Sequence, residues 1–181
     1  MTKSVSVIMP VYNDAMRIQL ALRAVLAQTY PSESIEIIVV DNGSTDATQE
    51  AVQQLQDVHP FRRIRLLVED QIQSSYAARN KGISQACGEI IAFTDADCQP
   101  APDWLENGIG ALWGKEAALV AGHIRMVFET GRPNIVEYAD ACRYLDQKHC
   151  VEEDSYGLTA NLVLRRELFD RHGLFRRDLQ S

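Results

Sequence analysis

Residues 35–46 read IEIIVVDNGSTD, and this stretch decides the fold class. Its first part, residues 35–40, is almost entirely β-branched, which is typical of a strand covered on both faces of a sheet. The strand stops at the turn-forming cluster of residues 41–44. A helix is predicted after the turn, with Asp46 and Gln49 spaced like a capping box. A buried strand, a turn and a helix in this order indicate a βαβ unit of a mostly parallel sheet.

Apolar runs of strand length and segments of helical period alternate outward from this unit. The other predicted strands are residues 5–11, 64–68, 90–94 and 118–122. A helix capped by Asn13 or Asp14 is predicted after the first strand. A second helix begins at Ser74 or Ser75, runs through Ala86 and is terminated by Gly88. A third helix is opened by Pro102 and has an inner side formed by Trp104, Leu105, Ile109 and Leu112. Residues 129–134 are predicted as a loop before a helix with Ile135, Tyr138, Cys142 and Leu145 on one face. The sequence therefore predicts an α/β fold with helices on both faces of a mostly parallel sheet.

Length and composition indicate one ordinary globular domain. The chain has 181 residues, 46% of them hydrophobic and 24% charged. A chain of this length buries about 70% of the surface that its unfolded form exposes. The formal charge of -7 and the pI near 5.1 argue against nucleic acid as the main partner, since such binding depends on clustered Lys and Arg. The small basic cluster of Arg62, Arg63 and Arg65 is interpreted as a solvated strand edge, with an anion site as the alternative.

The cysteines and histidines lack the spacing of metal ligands. Cys87, Cys98, Cys142 and Cys150 do not form the short pairs of a zinc or redox site and are interpreted as reduced thiols. His59, His123, His149 and His172 are interpreted as surface or packing residues, with His149 as a candidate near an acceptor loop. Residues 5–11 are too short an apolar run for a signal peptide or a membrane span. We expect a cytoplasmic location without a membrane span in this chain, which leaves peripheral association with the inner face of a membrane open.

Polar and acidic side chains follow the predicted strands at the points where these strands end. Asn13 and Asp14 follow the first strand, Asp41 the second, and Asp95 and Asp97 the fourth. Ligands of open α/β sheets bind beyond the carboxyl ends of the strands, and two carboxylates about 4 Å apart repel by about 4 kcal/mol at an effective dielectric of about 20. Mg²⁺ or Mn²⁺ would relieve this repulsion and share its remaining positions with water and phosphates. The cluster predicts a metal and diphosphate site. The alternative for the Asp-x-Asp triplet alone is a polar turn after a buried strand.

Four motifs occur in a defined order along the chain. They read SVIMPVYN at residues 6–13, VVDNGSTD at 39–46, ARNKG at 78–82 and FTDADC at 93–98, and GLTANLVLRR follows at 157–166. In order and spacing these motifs resemble the inverting family 2 glycosyltransferases, and the resemblance covers nearly the whole chain. It implies a GT-A fold and an enzyme that transfers a sugar, with inversion, from a UDP-sugar to a carbohydrate or lipid-linked acceptor. Residues 1–98 would form the nucleotide-binding half of a single domain, and residues 99–181 a partial acceptor-side half.

The resemblance also implies which residues contact the base of the donor. Asp41 would accept a hydrogen bond from the imino N–H of this base, for which uracil is expected. An ionised acceptor of this kind is worth about 1.5 to 3 kcal/mol and rejects bases that lack the donor. The segment with Pro10, Tyr12 and Asn13 would line the base pocket. The alternative for Asp41 is a turn former or a helix cap.

The remaining implied contacts concern the ribose, the diphosphate and the metal. Asp95 would lie near the ribose or a phosphate, and Asp97 would bind the Mn²⁺ or Mg²⁺ that bridges the diphosphate. Arg79 would face the nucleotide. The alternative for Arg79 is an exposed helix residue, because its neighbour Lys81 could serve as well. The metal would neutralise the charge that builds on the leaving diphosphate.

An inverting transfer also needs a carboxylate base that takes the proton of the acceptor hydroxyl. In the family this base lies in an acidic motif shortly after a segment like residues 173–175, and the chain ends at Ser181, about where that motif should begin. Asp178 is the nearest acid, but it precedes the expected position, which favours a surface turn residue. The acidic run at residues 152–154 is interpreted as a solvated loop that could line the acceptor side. We expect a piece of a longer enzyme with its base just beyond Ser181.

Two other classes of function compete with this interpretation. A chain without its base could be a non-catalytic module, or an inactive fragment, that only binds nucleotide sugar. A Rossmann dehydrogenase would need a G-x-G-x-x-G turn after the first strand, where this sequence has VYND at residues 11–14. The sequence therefore favours a metal-dependent glycosyltransferase over a dinucleotide-binding enzyme.

Overall fold

A computed structural model describes residues 2–128, 135, 147–153 and 156–176 of the chain. The strands in these ranges are β1 Val5–Val11, β2 Ile35–Asp41, β3 Arg63–Val68, β4 Ile90–Phe93, β5 Leu119–Ala121 and β6 Leu162–Arg165. The helices are α1 Ala15–Leu26, α2 Thr48–Val58, α3 Ser75–Gln85, α4 Trp104–Gly114, α5 Gln147–Glu152 and α6 Glu167–His172. The predicted loop at residues 129–134, Tyr138, Cys142, Leu145, Asp154 and Asp178 lie outside the described residues, whereas Ile135 is helical and exposed.

The strands form one mixed sheet of six in the order β3-β2-β1-β4-β6-β5. β1 is parallel to β2 and β4, and β2 is parallel to β3. β6 is antiparallel to both β4 and β5. The prediction of a mostly parallel α/β sheet is confirmed, and the five predicted strands agree with β1 to β5 within one residue at each end. β6 was not predicted, because its short apolar run becomes a strand only by pairing with the distant β4.

Helices cover both faces of this sheet. α1, α2 and α4 pack on the face that carries Val7 and Ile37, whereas α3 packs on the face that carries Ile8 and Ile38. The two faces alternate along each strand because successive side chains point in opposite directions. The residues predicted on the inner side of α4 are all buried: Trp104, Leu105, Ile109 and Leu112. Each such buried apolar side chain contributes about 1.5–3 kcal/mol, so the sheet is a rigid platform for the loops at its edges.

The first residues of the helices confirm two of the capping predictions and show that a third is wrong. Asp14 caps α1, and its Oδ1 accepts a hydrogen bond from the Arg17 amide at 3.1 Å. Ser74 caps α3 in the same way. The capping box of Asp46 and Gln49 is wrong: α2 begins at Thr48 after Ala47, which offers no side-chain bond. Gln49 instead donates to Asp41 at 2.7 Å, because the buried carboxylate at the end of β2 lies within its reach.

The position of α3 on the sheet depends on close contacts at glycine. A Cβ added at Gly82 would lie 2.6 Å from Ile8 Cγ2, so the helix approaches β1 closely at this point. Gly88 does not terminate α3 as predicted, because the helix ends at Gln85. A Cβ at Gly88 would lie 2.6 Å from the Ser6 backbone nitrogen, so this glycine permits a close backbone approach.

The basic cluster at the start of β3 lies at an edge of the sheet and contacts a buried carboxylate. Arg63 Nη2 and Arg65 Nη1 lie 3.6 Å and 3.8 Å from Oε2 of Glu36, a side chain that is only 2% exposed. Arg62 Nη2 donates to the Leu26 carbonyl at 3.2 Å. The interpretation as a solvated strand edge is confirmed, because β3 is an edge strand of the sheet and the side chains of Arg63 and Arg65 are 58% and 38% exposed. These arginines also supply the nearby positive charge that a buried carboxylate needs.

Candidate functional site

A pocket of about 330 Å³ lies beyond the carboxyl ends of β1, β2 and β4. Its lining residues are Pro10, Val11, Tyr12, Asp14, Asn42, Ser75, Arg79, Asp95, Ala96 and Asp97. A second cavity of about 500 Å³ lies beside Lys3, just before the start of β1, and is also lined by Tyr30 and Trp113. We take the smaller pocket as the candidate site, because ligands of parallel sheets bind at the carboxyl ends of the strands and the predicted residues converge there.

Arg79 and Asp95 form an ion pair at the floor of this pocket. The close approach of α3 to the sheet brings Arg79 Nη2 to 2.6 Å from Asp95 Oδ1. Arg79 is 8% exposed, so the alternative of an exposed helix residue is wrong. Its Nε is buried without a hydrogen-bond partner in the described part of the chain. Lys81 is not a lining residue and lies 3.9 Å from Glu69 Oε2. Arg79 is therefore the guanidinium available to a ligand in this pocket.

Asp97 lies at the open side of the pocket, where its side chain is exposed. Its Oδ1 accepts a weak hydrogen bond from the Cys98 thiol at 3.6 Å. Burial, and then the charge of Asp97, raise the pKa of this thiol from 9.0 to about 11.

The charges around the pocket suit a cation shared with a ligand. The lining holds the three carboxylates of Asp14, Asp95 and Asp97 but one guanidinium, that of Arg79. Within the described ranges, no group of three or more His, Cys, Asp or Glu side chains could hold a metal ion alone. Mg²⁺ and Mn²⁺ fit this arrangement, because such ions are held by one or two carboxylates together with water and substrate phosphates.

Asp41 lies behind the wall of the pocket and not on its surface. It pairs with Val11 in the ladder between β1 and β2, and it is 0% exposed. Its Oδ2 accepts hydrogen bonds from the Ser44 amide at 3.1 Å and from Gln49 Nε2 at 2.7 Å. Its Oδ1 is buried, and no described group donates to it. An unsatisfied buried carboxylate oxygen is costly, so it marks a place where a ligand N–H would be stabilised.

The predicted base-lining segment is only partly at the pocket. Pro10 and Tyr12 line it, and Tyr12 is 49% exposed. Asn13 is not among the lining residues, and its Oδ1 instead accepts from the Thr45 amide at 2.7 Å. It has a φ of 49°, a conformation that Asn adopts more readily than most residues. Asn13 therefore connects the end of β1 to the turn after β2.

Val11 belongs to the predicted segment at residues 10–13, whereas three other lining residues were not predicted as site residues: Asn42, Ser75 and Ala96. Each lies directly beside a residue or segment that the sequence did single out, at the end of a strand or at the start of α3. That adjacency was the available signal. None of the described histidines lines this pocket.

The chain after α6 is docked against the helix that carries Arg79. The Asn80 side chain accepts a hydrogen bond from the Phe175 amide and donates one to the Phe175 carbonyl, both at 2.9 Å. The ring of Phe175 lies 5.7 Å from those of Phe93 and Phe169. These contacts hold residue 175 beside α3 and β4, next to the candidate site.

In the described part of the chain, no helix has the length and apolar character needed to cross a membrane.

The chain is similar to known proteins over nearly its whole length. The family described as Glycosyl transferase family 2 matches residues 6–173. Glycosyltransferase AglE of Haloferax volcanii is 40% identical over 177 residues, which is 98% of this chain and 57% of that protein. A relative from Methanococcus voltae, named dolichyl N-acetyl-alpha-D-glucosaminyl phosphate 3-beta-D-2,3-diacetamido-2,3-dideoxy-beta-D-glucuronosyltransferase, is 33% identical over 105 residues, 58% of this chain and 32% of that protein.

A solved structure has the same fold over nearly the whole chain. The mannosyltransferase PcManGT from Pyrobaculum calidifontis, in complex with GDP-Man and Mn²⁺, superposes with a TM-score of 0.77 at 29% identity. The match covers 98% of this chain and 49% of PcManGT, so the chain spans about half the length of that enzyme. The chain belongs to glycosyl transferase family 2 and has the GT-A fold of its structural relatives.

Proposed function

We propose that this chain is the donor-binding part of a glycosyltransferase that uses a nucleoside diphosphate sugar and a divalent cation and transfers the sugar with inversion. The observation that carries the proposal is the convergence of Asp95, Asp97 and Arg79 on one pocket at the carboxyl ends of the strands. A diphosphate is itself anionic. A pocket with an excess of carboxylates therefore accepts it only together with a cation.

The free oxygen of Asp41 supports recognition of a base with a ring N–H. Uracil and guanine carry such a group, whereas N3 of cytosine is an acceptor. Asp41 lies behind Val11 and next to Asn42, both of which line the pocket, so a small shift of this wall would bring a base edge to Asp41 Oδ1. UDP is the expected nucleotide. The GDP-Man complex of PcManGT makes GDP the second candidate.

The residues of the pocket divide the remaining work. Asp97 would hold Mn²⁺ or Mg²⁺ on the open side, and Asp95 would contact the ribose or a phosphate while Arg79 fixes its position. A bound divalent cation supplies neutralisation of the charge on the departing diphosphate. Pro10 and Tyr12 would contact the base. This arrangement binds and orients the donor, which is the part of the reaction that the described residues can perform.

The acceptor is proposed to be a carbohydrate or a lipid-linked carbohydrate. The printed name of the Methanococcus voltae relative describes transfer to a dolichyl-linked sugar phosphate, which supports the lipid-linked class. Transfer also requires a carboxylate that takes the proton of the acceptor hydroxyl. The competing possibility is a module that binds the donor without transferring its sugar. Turnover assays distinguish the two when they compare this chain alone with the same chain joined to the further sequence that its longer relatives carry.

Calorimetry with UDP, GDP and CMP, each with and without Mn²⁺, tests the proposal. We expect binding of UDP that requires Mn²⁺, weaker binding of CMP, and GDP as the only other tight ligand. Equal binding of all three nucleotides in the absence of metal would contradict it.

A further inference from the structure

We infer that Gln49 is a positioning residue that fixes the Asp41 carboxylate and thereby makes the donor site select bases with a ring N–H. The inference rests on the proposed function and adds a specificity determinant to it. Gln49 belongs to the first turn of α2, and it does not touch the pocket itself. It acts through Asp41.

Both hydrogen bonds that Asp41 accepts converge on the same oxygen. Gln49 Nε2 and the Ser44 amide lie 2.7 Å and 3.1 Å from Asp41 Oδ2. The other oxygen, Oδ1, is buried without a donor among the described groups. Rotation of the carboxylate about its Cβ–Cγ bond would break the Gln49 contact, and Asp41 is 0% exposed, so no bulk water replaces a lost donor. One oxygen is therefore held in place and the other is left for a ligand.

The Gln49 amide has no competing role at the start of α2. The cap residue Ala47 offers no side-chain hydrogen bond, and the Asp46 carboxylate is used by Thr48. Asp46 therefore bonds the Thr48 amide at the start of α2 without Gln49, whose side-chain amide is directed to Asp41.

A fixed position of Asp41 Oδ1 would make the site prefer uracil to cytosine. A fixed, ionised acceptor attracts the N3–H of uracil and repels the N3 lone pair of cytosine, two bases of nearly the same shape. A carboxylate that can rotate would turn its oxygen away from cytosine and lose part of this discrimination. Loss of Gln49 is therefore expected to change the preference between UDP and CDP more than it changes the fold.

Gln49→Met tests this, because methionine conserves the volume but removes the donor. Gln53→Met is the matched control, since Gln53 lies one turn later on α2, is exposed, and donates its hydrogen bond to the exposed Asp57 at 3.2 Å. Binding of UDP and CDP is measured by calorimetry with Mn²⁺, and folding is checked by thermal unfolding. The preference of the wild type for UDP over CDP should fall about tenfold in Gln49→Met, as for the loss of a hydrogen bond to a charged group, and stay unchanged in Gln53→Met.

The outcomes separate this inference from the proposed function. An equal loss of UDP and CDP affinity in Gln49→Met, or an unchanged preference, would overturn the role of Gln49 alone. A wild-type protein that binds neither UDP nor GDP would overturn the proposed function itself. If the wild type prefers GDP, the matched ligands are GDP and its N1-methyl derivative. If Gln49→Met does not fold, Gln49→Asn, which keeps the amide but shortens its reach, provides the same readout with the same expected fall.

Discussion

Arg79 Nη2 lies 2.6 Å from Asp95 Oδ1, and this ion pair joins α3 to the loop that follows β4. The two side chains are 10% and 31% exposed, so water screens the pair only partly. Removal of one member of a shielded pair leaves the other without a counter-charge, which costs more than the pair itself contributes. The contact therefore couples the stability of the fold to the donor pocket.

Replacing Arg79 should destabilise the protein as well as weaken nucleotide binding. For Arg79→Met we expect the free energy of unfolding to fall by about 1–2 kcal/mol, less than for a fully buried pair because Asp95 is partly exposed. Urea unfolding measures this change. Arg171→Met is the control, since Arg171 pairs at 3.3 Å with Glu167 on the surface, where the side chains are 68% and 50% exposed. Equal effects of the two variants would contradict the importance of burial.

Asp97 should be necessary for the effect of the metal and not for the fold. Asp97→Asn keeps the shape of the side chain but removes the charge that a hard cation needs. We expect Mn²⁺ to increase UDP affinity at least about tenfold in the wild type and to have no effect in this variant. Asp103→Asn, at an exposed Asp that caps α4 without a side-chain bond, should retain the metal effect. Retention of the metal effect in Asp97→Asn would place the cation elsewhere.

Two helical glycines should respond in opposite directions to alanine. A Cβ at Gly82 would lie 2.6 Å from Ile8 Cγ2, so Gly82→Ala should lower the free energy of unfolding by about 1–3 kcal/mol through overpacking. A Cβ at Gly110 meets nothing within 4 Å, so Gly110→Ala should raise it by about 0.5–1 kcal/mol through helix propensity. Urea unfolding of both variants is the measurement. Stabilisation by Gly82→Ala would show that α3 does not pack tightly on β1.

The Cys98 thiol should react slowly at neutral pH. Its pKa is raised from 9.0 to about 11 by burial and then by the Asp97 charge. A thiol with a raised pKa holds less thiolate at every pH below that value, here about a hundredfold less at pH 8. Peptide-resolved alkylation by iodoacetamide should therefore label the exposed Cys87 well before Cys98. Asp97→Asn should accelerate the labelling of Cys98, and an unaltered rate would mean that the Asp97 charge does not raise this pKa.

The parts of the structure that depend on local sequence were predictable. The β-branched run at residues 35–40 and the apolar stripe of α4 each predict which of their faces are buried, because the period of apolar residues indicates the buried side of an element. The carboxyl ends of parallel strands meet at one edge, so Asp95 and Asp97 could be placed beside Pro10 and Tyr12 before any coordinates existed.

The features that failed depend on contacts between distant residues. β6 pairs with β4, and Leu162 lies opposite Phe93 across 69 positions of sequence, a relation that no local pattern of four residues contains. Gln49 has the spacing of a capping residue, but its side-chain amide instead donates a hydrogen bond to the buried Asp41 carboxylate. The bond from the Thr45 amide to Asn13, 32 positions away in the sequence, likewise depends on how the turn after β2 meets the end of β1.

The central claim is that a nucleoside diphosphate and a divalent cation share the pocket at the carboxyl ends of β1, β2 and β4. A crystal structure with UDP and Mn²⁺, with an anomalous difference map for manganese, tests it most directly. We predict a manganese peak that bridges the Asp97 carboxylate and the diphosphate, with the ring N–H of uracil directed at Asp41 Oδ1. Nucleotide bound in the cavity beside Tyr30 and Trp113, or manganese away from Asp97, would contradict the claim.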